Sequence, residues 1–154
     1  MIAVIQRVNA ASVMADGVPA GKCEKGLLIL LGVAKEDGEE DAALLAAKIA
    51  KLRIFCDGED KMNLSLLDIE GGALVVSNFT LLANYAHGNR PDYFAAAAPG
   101  EANALYERFC ELLAGQGIPV EKGVFGADMR ITLEADGPVT IVMDSVLLQK
   151  KNRK

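Results

Sequence analysis

Two hydroxyl side chains lie where an apolar run of the sequence meets a loop. Ser77 ends the run 73–77, and Asn78 and Phe79 separate it from Thr80. The end of a strand presents side chains and unpaired backbone N–H groups to a cleft, where such N–H groups can stabilise an oxyanion. Hydroxyls at strand ends are also often simple backbone caps. The residues alone therefore leave a catalytic and a structural role open.

His87 is the only histidine and thus the one candidate for the base of a Ser-His-Asp triad. It lies in a polar loop, where a histidine is usually a surface residue. The sequence contains no GxSxG elbow, HExxH helix, Walker loop or GxGxxG turn. One histidine cannot form a multi-histidine metal site, and Cys23, Cys56 and Cys110 form no CxxC pair. The sequence predicts neither a metal site nor a disulfide framework.

The tripeptide 136–138, Asp-Gly-Pro, is a turn signal between two apolar stretches. X-Pro bonds are the ones that adopt cis at appreciable frequency, at a base rate of about 5–6%. Without further information the Gly137–Pro138 bond is therefore expected to be trans.

Length and charge limit the classes of protein that this chain can belong to. With 154 residues and 16.3 kDa it is expected to form one domain. A net charge of −5 argues against a large basic nucleic-acid footprint; the dense basic run is 150–154. The longest apolar stretch, 26–34, is too short for a membrane span, and the first residues lack the features of a signal peptide. We expect a reduced, cytoplasmic protein.

Hydrophobic patterning predicts an α/β fold. Helices are expected at 39–52, after a capping-box pattern, and at 101–114, before a glycine stop. Strands are expected at 2–8, 12–15, 27–31, 73–79, 129–134 and 139–143. The prediction is a single domain with a mainly antiparallel, mixed sheet and two helices packed on it.

Several segments, in order along the chain, resemble the D-aminoacyl-tRNA deacylases. The two most specific are Ser77-Asn78-Phe79-Thr80-Leu81 and Gly137-Pro138-Val139-Thr140. The other matching segments are 6–8, 11–13, 27–34, 52–55, 61–67 and 125–129. The resemblance runs from Met1 to about Ser145, which implies a domain at 1–145 and a basic tail at 146–154.

The resemblance implies a partial-barrel homodimer that needs no metal or cofactor. Such proteins hydrolyse the ester between a D-amino acid, or glycine, and the terminal adenosine of tRNA. Glycine mischarged on tRNA(Ala) is an implied substrate, and L-aminoacyl-tRNA is spared. The ribose 2′-hydroxyl of the substrate is expected to assist the chemistry, so that positioning and oxyanion stabilisation replace a histidine base.

The resemblance also assigns residues to the site. Ser77, Asn78, Phe79 and Thr80 are implied as the catalytic floor at the dimer interface. Gly137 and Pro138, joined by a cis peptide, are implied to enter from the partner subunit and to test chirality. Arg7 and Met129 are the other implied substrate-binding residues.

The chain departs from the usual family pattern at three positions. Asn78 stands where Gln is usual, Ala135 where Asn is common, and His87 where Lys is frequent. Two alternatives stay open: an unrelated esterase with Ser77 or Thr80 as nucleophile and His87 as base, and a non-enzymatic RNA-binding or assembly module. Lys61, Arg90 and the basic tail are candidates for phosphate contacts.

Overall fold

The computed structural model describes residues 1–149; the basic run 150–154 lies outside the described residues. The helices and strands, in chain order, are β1 (Ile2–Ala15), β2 (Val18–Cys23), β3 (Gly26–Gly32), α1 (Glu39–Ala50), β4 (Phe55–Cys56), β5 (Met62–Leu64), β6 (Gly72–Ser77), a 3₁₀ helix (Phe79–Leu82), α2 (Pro99–Gly115), β7 (Val120–Lys122), β8 (Met129–Asp144) and α3 (Ser145–Gln149). Within this described part, no helix combines the length and apolar character that a membrane crossing requires.

Strand β1 organises the main sheet. One edge pairs antiparallel with β8 along its whole length, and the other pairs antiparallel with β3 and then with β2. Strands β6 and β7 continue from β3 in parallel. The sheet nearly closes where the Lys22 N–H of β2 donates to Glu121 of β7 at 3.3 Å. The single domain and the mixed sheet are confirmed.

Strands β3 and β6 lie at the centre because their runs are apolar on both faces. One face packs against α1 and α2, where Leu45, Tyr106 and Phe109 are fully buried. A smaller apolar cluster, which includes Leu28 and Leu74, covers the other face. The two strands approach so closely that a Cβ on residue 26 would collide with the carbonyl oxygen of residue 72, which requires glycine at position 26.

The structure corrects three sequence-based predictions. The two short strands expected at 2–8 and 12–15 are one continuous strand, β1. The turn expected at 136–138 does not reverse the chain; the two flanking strands are parts of β8 and pair with the same edge of β1. Long-range pairing with β1 thus overrides a local turn signal.

The third correction is a helix at the end of the described chain. Helix α3 packs on α1, because Ser145 Oγ and Gln149 Nε2 both donate to Asp41 Oδ1, at 2.6 and 2.7 Å. The predicted division between domain and tail, after residue 145, falls inside this helix. The two predicted helices are present as α1 and α2, with ends shifted by one or two residues.

Candidate active site

The candidate site begins where β6 leaves the sheet. The Asn78 N–H still donates to the Leu31 carbonyl of β3 at 2.8 Å, and the chain then turns into the 3₁₀ helix. The first N–H groups of such a helix have no acceptor within it. Within residues 1–149, neither the Phe79 nor the Thr80 N–H donates a hydrogen bond. The end of β6 therefore carries two adjacent, unused donors.

A cleft of about 540 Å³ opens at this end of β6. Four segments surround it: the ends of β3 and β6, the loop before α2, the first turn of α2, and the loop that enters β8. The lining residues are Val33, Ser77, Asn78, Phe79, Tyr93, Ala96, Ala97, Pro99, Ala102, Phe125, Gly126, Ala127 and Met129. This volume lies within the usual range for small-molecule and cofactor sites.

The wall before α2 is fixed to the floor by ring packing and backbone hydrogen bonds. The Tyr93 and Phe79 rings meet edge to face, with centroids 5.0 Å apart. The Ala97 N–H donates to the Val33 carbonyl at 2.9 Å, and Lys35 N–H donates to the Ala95 carbonyl at 3.0 Å. This wall is held in place by the end of β3.

The opposite wall, residues 123–129, is anchored to the core at both ends. The Gly123 N–H donates to the Val75 carbonyl, and Asp16 and Asp128 exchange hydrogen bonds at the tip of the β1–β2 hairpin. Behind Phe125 packs Tyr106, whose hydroxyl donates to the Val75 carbonyl at 2.8 Å. Burial raises the pKa of the Tyr106 phenol, which therefore stays a neutral structural donor.

The cleft holds no charged side chain. Within residues 1–149, its lining contains no Asp, Glu, Lys, Arg or His. His87 is exposed and does not line the cleft, and Thr80 Oγ1 donates to Asn78 Oδ1 instead of to a base. A Ser-His-Asp triad is thus not assembled in the described part of the chain. That part of the chain also holds no group of three or more His, Cys, Asp or Glu residues that could bind a metal ion.

Arg7 organises a second candidate segment, a bulge in β8. Gln6 pairs with Thr140 and Val8 with Ala135, so residues 136–139 have Arg7 alone opposite them. The buried guanidinium donates from Nε to the Asp136 carbonyl at 3.2 Å and lies 3.1 Å from its carboxylate. Its Nη1 donates to the Ile54 carbonyl at 2.7 Å. One side chain therefore joins the bulge to the segment before β4.

Gly137 sits at the exposed crest of this bulge. Its φ is +127°, and a Cβ there would lie 2.9 Å from the Val139 nitrogen and 3.2 Å from Arg7 Nη2. Both the conformation and the space therefore require glycine. The Gly137–Pro138 peptide is cis, and both residues are exposed.

The structure brings the predicted site residues together in two groups. Ser77, Asn78, Phe79 and Met129 line the cleft, and Thr80 follows them in the 3₁₀ helix. Arg7, Gly137 and Pro138 form the bulge and do not line the cleft of their own chain.

Sequence reasoning overlooked part of the cleft. The sequence predicts a loop at Tyr93 and Pro99, before the second helix, and Phe125 and Ala127 appear only within the resembling segment 125–129. For the first wall the available signal was an aromatic residue, Tyr93, in a loop that contains Gly88 and Pro91, because binding residues lie disproportionately on loops. For the second wall the signal was the glycine at 126, whose φ of +76° permits the tight turn.

Comparisons with known proteins agree on one family. The family model D-Tyr-tRNA(Tyr) deacylase matches residues 4–144. A D-aminoacyl-tRNA deacylase of Ruegeria pomeroyi is 57% identical over 144 residues, 94% of this chain and 99% of that protein. One of Anaeromyxobacter dehalogenans is 54% identical over 145 residues, 94% and 97% of the two chains.

Two solved structures share the fold. A c-Myc DNA unwinding element binding protein superposes with a TM-score of 0.87 and 35% identity, covering 94% of this chain and 98% of that one. A probable eukaryotic D-amino acid tRNA deacylase has a TM-score of 0.79 at 17% identity, covering 92% and 97%. The match of the family model to nearly the whole chain, together with relatives above 50% identity, shows that the chain belongs to the D-Tyr-tRNA(Tyr) deacylase family of enzymes.

Proposed function

We propose that this chain hydrolyses the ester between a D-amino acid and the terminal adenosine of tRNA, and that it spares L-aminoacyl-tRNA. Glycyl-tRNA, including glycine mischarged on tRNA(Ala), is a further proposed substrate. The observation that carries the proposal is the pair of unused N–H groups of Phe79 and Thr80 beside an uncharged cleft, in a chain of this family.

The chemistry follows from what the cleft offers. Water adds to the ester carbonyl carbon, the carbonyl oxygen becomes an oxyanion, and the intermediate collapses with release of the ribose oxygen as a hydroxyl. The N–H groups of Phe79 and Thr80 hold the oxyanion; one such donor contributes about 10²–10³-fold in rate. Asn78 and Ser77 position the substrate, and its 2′-hydroxyl assists the proton transfer. An aminoacyl ester is already reactive, so no histidine base is required.

We further propose that the site is completed in a homodimer, by the Gly137–Pro138 bulge of the partner subunit. Two features support this. The bulge is exposed and lies outside the cleft of its own chain. Within residues 1–149, strand β8, which carries the bulge, pairs with no strand other than β1, and the side chain of its Val142 is 69% exposed. An exposed apolar strand edge is a surface that a second copy can cover.

Selection between enantiomers rests, in this proposal, on the backbone of the bulge. D- and L-amino acids exchange the hydrogen and the side chain on the α-carbon, so a rigid wall can exclude the L side chain. Arg7 holds the bulge rigid through Asp136. Glycine has no side chain for the wall to exclude, and glycyl-tRNA is therefore hydrolysed.

The proposed partners are the aminoacylated 3′ end of tRNA and a second copy of the chain, with no cofactor. The proposed location is the cytoplasm, where aminoacyl-tRNA is used. Lys61 and Arg90, both exposed, are the proposed phosphate contacts within the described residues.

A deacylation assay tests the proposal. D-Tyr-tRNA, L-Tyr-tRNA and Gly-tRNA are incubated with the protein, and the surviving ester is compared with a protein-free control. We expect rapid loss of the D-tyrosyl and glycyl esters and no loss of the L-tyrosyl ester above that control. Equal hydrolysis of both tyrosyl enantiomers would overturn the proposed selectivity, and stability of all three would overturn the proposed activity.

A further inference from the structure

Two aromatic side chains of the loop that leads into the cleft stand almost entirely in solvent. Tyr85 is 80% exposed and Phe94 is 79% exposed. Burial of a large apolar side chain is favourable, so two such exposed rings on one loop leave a favourable interaction unused. Their place in one loop that leads into the cleft indicates an interaction surface.

The backbone that carries these rings is fixed. Asn84 and Asp92 exchange backbone hydrogen bonds at 2.9 Å in both directions, and their side chains pair at 3.1 Å. The Asn84 Oδ1 then accepts the Ala86 N–H, and the Asp92 Oδ1 accepts the Phe94 N–H. Each aromatic residue thus lies within two positions of a clamp residue. A rigid backbone with an exposed ring is suited to binding, because little conformational entropy is lost on contact.

The loop continues directly into the cleft. Phe94 follows Tyr93, which lines the cleft and packs on Phe79. Two exposed cations accompany it: Arg90 lies in the same loop, and Lys35 is hydrogen-bonded through its backbone to Ala95. Aromatic rings interleaved with cations are the combination that binds single-stranded nucleic acid, since bases stack on the rings and phosphates meet the charges.

We infer that Tyr85 and Phe94 form a stacking platform for the unpaired nucleotides that precede the terminal adenosine of the substrate. The inference rests on the proposed function, because the reacting adenosine must occupy the cleft for its neighbours to reach the rim. Stacking of a base on an aromatic side chain strengthens binding by about 5- to 150-fold. The platform therefore determines how tightly the RNA is held, while the floor of the cleft determines the rate of the chemistry.

Two double variants test the platform. Tyr85→Leu with Phe94→Leu keeps apolar bulk but removes stacking; Tyr85→Phe with Phe94→Tyr keeps both rings and is the matched control. Each is assayed on D-Tyr-tRNA and on D-tyrosyl-adenosine, which lacks the preceding nucleotides. We expect the leucine variant to raise KM for D-Tyr-tRNA about tenfold or more, with kcat unchanged and KM for D-tyrosyl-adenosine unchanged. The aromatic control should match the parent protein.

Three outcomes would overturn the platform: an unchanged KM for D-Tyr-tRNA, an equal rise for both substrates, or a changed molecular mass of the leucine variant in solution, which would assign the rings to contacts between copies. A parent protein that hydrolyses neither substrate would defeat the proposed function. Fluorescence anisotropy with an unacylated RNA ending in CCA then decides the inference separately. About tenfold weaker binding by the leucine variant supports it, and equal binding contradicts it.

Discussion

The end of β6 and the bulge of β8 are positioned by opposite means. The end of β6 follows a fully buried strand, with Val75 and Val76 in the core, and its geometry comes from the packing of the whole domain. The bulge lies on an exposed edge and depends on one guanidinium and one glycine. The floor can therefore be altered only at the level of single hydrogen bonds, whereas the bulge can be displaced without unfolding the protein.

The largest loss of kcat is expected when one backbone N–H donor is removed from the floor of the cleft, at the end of β6. Residue 79 is the first of its 3₁₀ helix, a position that proline favours, and it follows an extended Asn78 with φ −145° and ψ 90°. Proline can be placed there with a shift of about 30° in the Asn78 ψ. Phe79→Pro removes the N–H and the ring, and Phe79→Ala removes the ring alone. We expect kcat on D-Tyr-tRNA to be about 10²–10³-fold lower in Phe79→Pro than in Phe79→Ala. Equal kcat values in the two variants would show that the backbone N–H of residue 79 takes no part in the reaction.

The second largest loss of activity is expected from a substitution of Gly137 in the bulge. A Cβ at 137 meets the Val139 nitrogen at 2.9 Å, so Gly137→Ala must shift the crest. A displacement of about 1 Å can cost about 100-fold in rate, and we expect a loss of that order in kcat/KM on D-Tyr-tRNA.

Gly17→Ala is the matched control for Gly137→Ala. Gly17 also has a positive φ, +80°, but a Cβ there meets nothing within 4 Å. Gly17→Ala should lower the melting temperature of the protein and leave kcat/KM on D-Tyr-tRNA unchanged. Comparable rate losses in both variants would show that backbone strain, and not the crest, is responsible.

A smaller effect is expected from the positioning residue Arg7. Arg7→Lys keeps the charge but loses the planar fork whose Nε and Nη1 donate separately to Asp136 and Ile54. We expect about a tenfold loss in kcat/KM with about 1–2 kcal/mol of destabilisation, measured by steady-state kinetics and urea unfolding. Arg130→Lys, at an exposed position of β8, is the control. If Arg7 only positions the bulge, kcat/KM should fall by the same factor for the D-tyrosyl and the glycyl ester. A fall confined to one of the two esters would contradict the positioning role.

The smallest effects are expected from the hydroxyls of the floor. Ser77→Ala and Thr80→Ala should each lower kcat by about tenfold or less, the magnitude of one hydrogen bond, and His87→Ala should change little. Loss of a covalent nucleophile or its base costs about 10⁴-fold or more. Replacing the terminal 2′-hydroxyl of the tRNA by hydrogen should reduce the rate more than any of the three variants. Abolished turnover in Thr80→Ala, with normal reaction of the deoxy substrate, would restore the esterase alternative.

How much the sequence could predict differs between the same two regions. The apolar run before Ser77 indicates a buried strand and hence the place of the floor, because hydrophobic periodicity is a local signal. The bulge could not be found this way: Asp136-Gly137-Pro138 is a turn signal, and its true form depends on pairing with Arg7, distant in sequence. The family resemblance drew attention to Arg7 and Gly137, but their hydrogen bonds and register appear only in the fold.

A mixed dimer shows whether the floor of one subunit acts with the bulge of the other, as proposed. Phe79→Pro and Gly137→Ala chains are co-expressed with different affinity tags and purified through both. In the Phe79→Pro homodimer both floors are defective, and in the Gly137→Ala homodimer both bulges are defective. The mixed dimer holds one intact floor facing one intact bulge, so it should regain about half of the parent activity per dimer. Activity no higher than the mean of the two separate variants would contradict the account.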